Sequence, residues 1–154
     1  MVRFTALDTD PVRRLQNGGT DANGQPCERA TSSGDGTPCR HCLRLIEKGD
    51  DFLILSYRPF PAPQPYAEQG PIFLHARTCD RHDCDGTVPE ILESRQYIVR
   101  GYDSNDRIVY GTGRVTPTDG IARYASGLFL NPDVAYIHVR SAANNCYQCR
   151  IDRA

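Results

Sequence analysis

The sequence predicts an α+β domain, a mostly antiparallel sheet with one main helix packed on it, and two observations support this prediction. Several short segments with strand patterns follow one another, separated by turn residues, whereas a strong helical pattern occurs only once. Hydrophobic residues make up 39% of the 154 residues and charged residues 24%, the balance of a folded globular chain. This length suits a single domain over residues 1–154, which would bury roughly two-thirds of its unfolded surface.

The first predicted elements are an edge strand over residues 2–7 and a brief helical turn after it. Asp8 or Thr9 can cap this turn, and Pro11 stands near its first position, where a missing N–H costs nothing. Residues 17–38 are rich in Gly, Asn, Asp, Ser, Thr and Pro and show no periodicity. They are therefore predicted to form a long irregular loop, either poorly ordered or a functional lid.

The middle of the chain is predicted to contain two strands. Residues 51–59 begin apolar on both faces, so this strand is expected to lie in the centre of a sheet. A proline-rich connector over residues 59–65 leads to the second strand at residues 70–76. Residues 87–94 then begin with the spacing of a capping box, which predicts a short helix.

A hairpin, the main helix and two strands complete the predicted order. Residues 96–102 and 107–115 form the hairpin around four turn-forming residues. The helix covers about residues 117–130, with Thr116 as its cap and Pro117 at its first position. Its apolar face consists of Ile121, Tyr124, Ala125, Leu128 and Phe129. A strand over residues 133–140 and a last strand near the C-terminus follow.

Charge and composition disfavour several classes of function. The formal net charge is −1, so the basic surface typical of nucleic-acid binding is not expected. No signal peptide is visible, and no apolar run approaches the roughly 18 residues that a membrane span needs. These features predict a cytoplasmic protein. In a reducing cytosol, its seven cysteines favour metal or redox chemistry over structural disulfides.

Two Cys-x-x-Cys motifs are the strongest chemical signal in the sequence. Cys39 and Cys42 form the first pair, and Cys146 and Cys149 form the second. Two such pairs are the usual ligands of a tetrahedral four-thiolate zinc site. Residues three apart in a regular strand face opposite ways, so the second pair can bind one ion only if a tight turn begins there. The leading hypothesis is a binding or structural module that zinc staples at its two ends.

Thiol redox chemistry is the main alternative for the first pair. A Cys-x-x-Cys motif at the start of a helix lowers the pKa of its first thiol. Cys39, with Arg40 and His41 beside it, is the better nucleophile, paired with Cys42 or with a cysteine from the other end. The βαβ context of a thioredoxin is missing, however.

A second group of candidate metal ligands lies between the two motifs. His75, Cys79, His82 and Cys84 are interleaved with aspartates in a short segment. The spacing is irregular, so the segment is either a secondary metal site or a solvated loop with incidental thiols. In the first case a metal-dependent enzyme of unknown substrate, working from a histidine, is a further hypothesis. Cys27 has no nearby partner and is predicted to be the odd thiol.

A polar strand face is a candidate site for a small anionic ligand. Alternation along the strand at residues 133–140 places its polar side chains on one side, and other predicted strands carry arginine and tyrosine at comparable positions. The same pattern is typical of a solvent-facing sheet. The residues of this face are Arg58, Arg100, Tyr102, Tyr136, His138 and Arg140.

The chain also resembles a known family over nearly its whole length. The resemblance lies in residues 38–43, 56–60, 70–73, 100–103, 135–139 and 150–153, and in Cys146. In these segments the chain is similar to the bacterial family catalogued as domain of unknown function 1203. The resemblance implies a single-domain fold unit and a bacterial context. It implies no particular reaction, because none is assigned to the family.

Overall fold

Two antiparallel sheets and two short helices make up the computed structural model, which describes all 154 residues. The strands are β1 (Val2–Thr5), β2 (Glu28–Thr31), β3 (Asp51–Tyr57), β4 (Gly70–His75), β5 (Gln96–Tyr102), β6 (Arg114–Pro117), β7 (Tyr136–Ser141) and β8 (Tyr147–Arg153). The helices are α1 (Thr9–Gln16) and α2 (Ile121–Leu128). This architecture confirms the predicted α+β class. Neither helix has the length and apolar character needed to cross a membrane.

The five-stranded sheet joins the two ends of the chain. Its order is β1-β8-β7-β5-β6, so β1 is an edge strand, as predicted. β1 pairs with β8 from Val2 opposite Arg153 to Thr5 opposite Arg150. The pairing of β7 with β8 contains a bulge, since Val139 faces Cys149 while Arg140 faces Tyr147. Because Gln148 is an extra residue, the side chains of Tyr147 and Cys149 lie on opposite faces of the sheet.

One face of this sheet is covered by α2. Ile121, Ala125 and Phe129 recur at helical spacing and are buried against the sheet. They belong to an apolar cluster of 16 buried residues that also contains Val139 and Cys149. Full burial of one such aliphatic or aromatic side chain contributes about 1.5–3 kcal/mol, so this cluster accounts for much of the stability of the sheet.

The three-stranded sheet has the order β2-β3-β4, which confirms the prediction that β3 is central. β4 pairs with β3 along its whole length, from His75 opposite Phe52 to Gly70 opposite Tyr57. A second apolar cluster of 11 buried residues packs on this sheet. Tyr147 of β8 belongs to that cluster, so it connects the two sheets.

The segment at residues 17–38 differs from its prediction as a long irregular loop. It contains β2, which pairs with β3 between Thr31 opposite Asp51 and Glu28 opposite Ile54. β2 is an edge strand whose side chains are mostly exposed, so it carries no alternating pattern that the sequence could reveal. Its strand conformation depends on the pairing with β3.

The predicted helices also begin and end differently. Thr116, the predicted cap, lies in β6, and a 3-10 turn (Thr118–Gly120) separates this strand from α2. Residues 87–94, predicted as a short helix, form turns. The hydroxyl of Tyr97 accepts a hydrogen bond from the Ser94 N–H (2.9 Å) and donates to the Ile91 carbonyl. A side chain therefore satisfies the backbone groups that a helix would pair.

The predicted hairpin is present in shortened form. Its turn is confirmed, because the Asp103 N–H donates to the Arg107 carbonyl at 2.9 Å. The second strand, predicted over residues 107–115, begins only at Arg114. The Gly101 N–H donates to the Thr112 hydroxyl at 2.9 Å, so a side chain interrupts the pairing beside it.

Candidate metal centre

Three cysteines and one histidine form a compact cluster at one end of the three-stranded sheet. The ligand atoms of Cys39, Cys42, His75 and Cys79 all lie within 4.8 Å of one another. The sulfur atoms of Cys39 and Cys79 are 3.9 Å apart, and Cys42 Sγ is 3.5 Å from His75 Nδ1. In a tetrahedral zinc site with Zn–S bonds of about 2.3 Å, adjacent sulfur atoms are about 3.8 Å apart. The cluster therefore already has the dimensions of a four-coordinate site.

A tight turn brings the first two thiols together. The Leu43 N–H donates to the Cys39 carbonyl (3.0 Å), and the Cys39 N–H donates to the Arg44 carbonyl (2.9 Å). Leu43 has a φ of 54°, a left-handed conformation that costs an L-residue roughly 1–2 kcal/mol. Its side chain is buried in the larger apolar cluster, and this burial offsets the strain.

The other two ligand groups come from the end of β4 and the loop after it. His75 is the last residue of β4 and is buried, while Cys79 is half-buried four residues later. The backbone N–H of His75 donates to Cys39 Sγ at 3.4 Å. This hydrogen bond therefore links the end of β4 to the turn at Cys39.

α1 holds the ligand-bearing segments in place with three side chains from one helical face. Thr9, Arg13 and Gln16 follow the spacing that aligns residues along a helix. Arg13 Nη2 donates to the Cys79 carbonyl (2.7 Å), and Gln16 Nε2 donates to the His75 carbonyl (2.9 Å). These supporting residues are absent from the sites predicted from the sequence, although their helical spacing is a usable signal.

His41 contacts the cluster without being one of its ligands. Its Nδ1 lies 3.2 Å from Cys79 Sγ, and its Nε2 lies 2.9 Å from the Thr9 hydroxyl. Burial lowers the pKa of His41 below its ordinary value, which favours the neutral ring. The tautomer with its proton on Nδ1 donates to the Cys79 sulfur, while Thr9 donates to Nε2. Such outer-shell hydrogen bonds orient metal ligands.

The protonation states of the four groups depend on one another. Hydrogen bonds from Cys42, Cys79 and His75 lower the pKa of Cys39, which therefore carries the thiolate. Hydrogen bonding to Cys39 raises the pKa of Cys42. A hydrogen bond between His75 and Cys39, and after it one between His75 and Cys79, raises the pKa of His75 to about 9. Three sulfur atoms this close ionise together only when a cation lies among them.

Arg40 places a buried positive charge beside the cluster. Its Nε donates to the Tyr147 carbonyl (2.8 Å) and its Nη1 donates to the Pro38 carbonyl (2.9 Å). Burial lowers the pKa of Arg40 to about 10, so the guanidinium stays charged at neutral pH. The thiols that interact with this charge are Cys39, Cys146 and Cys149. The guanidinium is thus close to both Cys-x-x-Cys motifs. Its positive charge would repel a metal ion bound between the two motifs.

The structure places the predicted ligands Cys146 and Cys149 outside the cluster. Cys149 is fully buried in the apolar cluster beneath α2, and burial raises the pKa of its thiol to about 12. Cys146 lies just before β8, and its sulfur contacts the Asn144 carbonyl at 3.8 Å. The tight turn that a shared site requires is absent, because the chain enters β8 at Tyr147 and bulges at Gln148.

The second predicted group divides in the same way. His75 and Cys79 join the cluster, whereas His82 and Cys84 bond to each other. The Cys84 N–H donates to His82 Nδ1 at 3.0 Å, and the Cys84 thiol donates to the His82 carbonyl at 3.2 Å. Cys27 is half-buried, and no cysteine of the chain forms a disulfide.

The comparisons with known proteins identify a family but no function. The family model described as "Protein of unknown function (DUF1203)" matches residues 36–153. The chain belongs to this family. All four cluster residues lie within the DUF1203 match, whereas α1 precedes it. No curated protein matches the chain, and no solved structure does.

Five of the six residues predicted to form an anion-binding face share one face of the five-stranded sheet. The register pairs Arg100 with His138 and Tyr102 with Tyr136, and Arg140 follows two residues after His138. This face is buried rather than solvated, because the connector between β3 and β4 covers it. Arg58 lies in that connector, where its Nε contacts the Phe60 carbonyl at 3.5 Å.

Proposed function

We propose that this DUF1203 protein is a structural module in which Cys39, Cys42, His75 and Cys79 bind one zinc ion. The observation that carries the proposal is the distance between the Cys39 and Cys79 sulfur atoms. At 3.9 Å it is close to the edge of a zinc–thiolate tetrahedron and well above the roughly 2.05 Å of a disulfide.

The donor set favours zinc over other common metals. Calcium and magnesium prefer oxygen ligands, and none of the four ligand atoms is an oxygen. Three thiolates and one imidazole form one of the regular ligand sets of structural zinc sites. The cation would also allow all three thiols to ionise, which their mutual contacts oppose in its absence.

The arrangement favours a structural role over a catalytic one. Catalytic zinc sites keep one position open for water or substrate, whereas four protein ligands close the coordination shell. The ion would fasten the turn at Cys39 and Cys42 to the end of β4 and to the loop at Cys79. That loop continues to residue 95 without a helix or strand, so a metal ligand at its start would restrict its freedom.

Metal analysis of tag-free protein purified without added metal tests the proposal. We expect about one equivalent of zinc for each chain, and chelation should lower the midpoint of thermal unfolding. Cys79→Ser should lose the zinc, whereas Cys84→Ser is the matched control in the same loop and should keep it. Metal-free protein of unchanged stability would overturn the proposal. Mass spectrometry after alkylation, showing a reversible disulfide at Cys39, would instead favour the thiol redox alternative.

A further inference from the structure

Three arginines project from the same face of the five-stranded sheet, which is the face opposite α2. Arg100 of β5 and Arg150 of β8 are both paired with His138 of β7, and Arg140 follows two residues after His138. Aromatic rings surround His138, with Tyr102 at 4.7 Å and Tyr147 at 5.0 Å between centroids. Charged groups on a buried, aromatic face require partners, so the hydrogen bonds of each arginine are informative.

The Nε–Nη2 edge of a guanidinium presents two parallel N–H groups that match the two oxygens of a carboxylate or phosphate. In Arg150 this edge is filled by the chain, because Nε and Nη2 both lie 2.7 Å from Asp152 Oδ1. In Arg100 it is also filled, with Nε donating to the Tyr102 hydroxyl (3.0 Å) and Nη2 to Glu68 Oε1 (2.6 Å).

Arg140 is the exception among the three. Its Nη1 donates to the Asn145 carbonyl (3.2 Å) and lies 3.4 Å from Glu68 Oε2. Its Nε and Nη2 are buried and have no hydrogen-bond partner. Only 3% of the residue is exposed, so bulk water does not satisfy these groups. The edge best suited to an oxyanion is thus the edge that the chain leaves unpaired.

The balance of charged side chains near Arg140 also favours binding of an anion. The three arginines contact two carboxylates, Glu68 and Asp152. Glu68 is already held by Arg100 and by the Asn145 side-chain amide, which donates at 2.8 Å. Burial and the surrounding arginines lower the pKa of His138 well below its ordinary value, so the ring itself is neutral. One positive charge of the three therefore has no carboxylate of its own.

Arg140 lines a cavity of about 160 Å³ between the two sheets. Other residues that line this cavity are Tyr57, Glu68, Gln69, Asn144 and Tyr147. Because a water molecule occupies about 30 Å³, the space is large enough for a small oxyanion. A neighbouring cavity of about 290 Å³ is lined by His138, whose Nδ1 is likewise unpaired, and shares Tyr57 and Tyr147 with the first.

We infer that Arg140 binds a small oxyanion, either a carboxylate or a phosphate group, which enters by the cavity between the sheets and pairs with the Nε–Nη2 edge. The anion takes the place on Arg140 that Asp152 occupies on Arg150. This site is separate from the Cys/His cluster and does not depend on zinc.

Titration of the full-length protein with sodium acetate and with sodium phosphate tests the inference, with sodium chloride at matched ionic strength as the reference. Calorimetry gives the affinities, and the NMR signal of the Arg140 Nε–H group reports on the site itself. We expect saturable binding of at least one oxyanion together with a shift of that signal. Tighter binding of acetate would assign a carboxylate, and tighter binding of phosphate would assign a phosphate group.

Two charge-preserving variants sharpen the test. Arg140→Lys removes the two-pronged edge and should weaken oxyanion binding by at least about tenfold. Arg150→Lys is the matched control on the same sheet face and should change the affinity by less than about threefold, because Asp152 already fills that edge. No oxyanion binding above the chloride reference, or equal affinity in Arg140→Lys, would overturn the inference. If Arg140→Lys does not fold, the Arg140 signal of the wild-type protein decides between the outcomes.

Discussion

Cys39 and Cys42 flank a tight turn, whereas Cys146 and Cys149 lie where the chain enters a β-strand. The spacing of the two motifs is identical, but the surrounding backbone is not. In the first motif, the Leu43 N–H donates to the Cys39 carbonyl, and both sulfur atoms belong to the Cys/His cluster. In the second, Tyr147 pairs with Arg140 and Cys149 pairs with Val139, so the thiol of Cys149 enters the apolar core.

The difference shows that spacing alone does not make a metal-binding motif. To bind one metal ion, two cysteines three residues apart need a tight turn between them and further ligands from other parts of the fold. The first motif has both, because β4 brings His75 to the turn and α1 positions the loop of Cys79. The second motif has neither, and the buried guanidinium of Arg40 lies near its thiols.

Replacing the first cysteine of each motif should produce the largest contrast. We expect Cys39→Ser to abolish stoichiometric zinc binding. At free zinc about 1,000 times the Kd, this loss corresponds to about 4 kcal/mol of unfolding free energy. Cys146→Ser is the matched control and should retain zinc with nearly unchanged stability, because Cys146 lies outside the cluster. Metal analysis and denaturant unfolding measure the two effects, and equal zinc loss in both variants would restore a site shared by the two motifs.

Cys149→Ser should separate packing from metal binding. The new hydroxyl would stand in an apolar environment, at a cost of about 1–3 kcal/mol of unfolding free energy. The zinc content should stay at about one equivalent, because the variant removes no ligand of the cluster. Denaturant unfolding at saturating zinc gives the stability, and metal analysis of the same sample gives the stoichiometry. A variant that lost zinc while keeping its stability would contradict the assignment of Cys149 to the core.

His41→Phe should weaken zinc binding by the cluster without removing a ligand. The substitution deletes the contact between the imidazole and Cys79 Sγ while preserving a buried ring. Loss of a hydrogen bond to a metal ligand typically lowers metal affinity by about 10- to 100-fold. Competition with a chromophoric chelator measures the zinc Kd. Unchanged affinity would show that His41 only fills space.

Gln16→Ala should have the smallest effect of the series. It removes the hydrogen bonds from α1 to the His75 and Arg77 carbonyls, each of which contributes about 0.5–1.5 kcal/mol. Arg14→Ala, at an exposed position of the same helix, is the control for the change in helix propensity. Thermal unfolding of the zinc-loaded protein should show a lower midpoint for Gln16→Ala than for Arg14→Ala. Equal midpoints would mean that α1 does not support the cluster.

Local pattern predicted the strands that carry strong alternation or long apolar runs. β3, β4, β5 and β7 lie close to their predicted positions, since their side chains alternate between the core and another face. β2 escaped detection because an exposed edge strand needs no apolar pattern. The bulge at Gln148 could not be predicted either, because it depends on how β8 pairs with β7.

For the cluster, the sequence supplied the correct residue types but not the correct grouping. The sequence pattern groups Cys39 with Cys42 in one candidate site and His75 with Cys79 in another. Their meeting depends on where β4 ends relative to the turn, which the β3–β4 register determines. No local pattern encodes that register together with the path of the loop. A turn-forming Cys-x-x-Cys was predictable, but its partners required the tertiary structure.

X-ray absorption spectroscopy at the zinc edge of the purified protein would identify the ligands of the metal ion. We expect a first shell of three sulfur atoms at about 2.3 Å and one nitrogen atom at about 2.0 Å. Such a shell matches Cys39, Cys42, Cys79 and His75. A shell of four sulfur atoms, or a sample without zinc, would contradict this expectation.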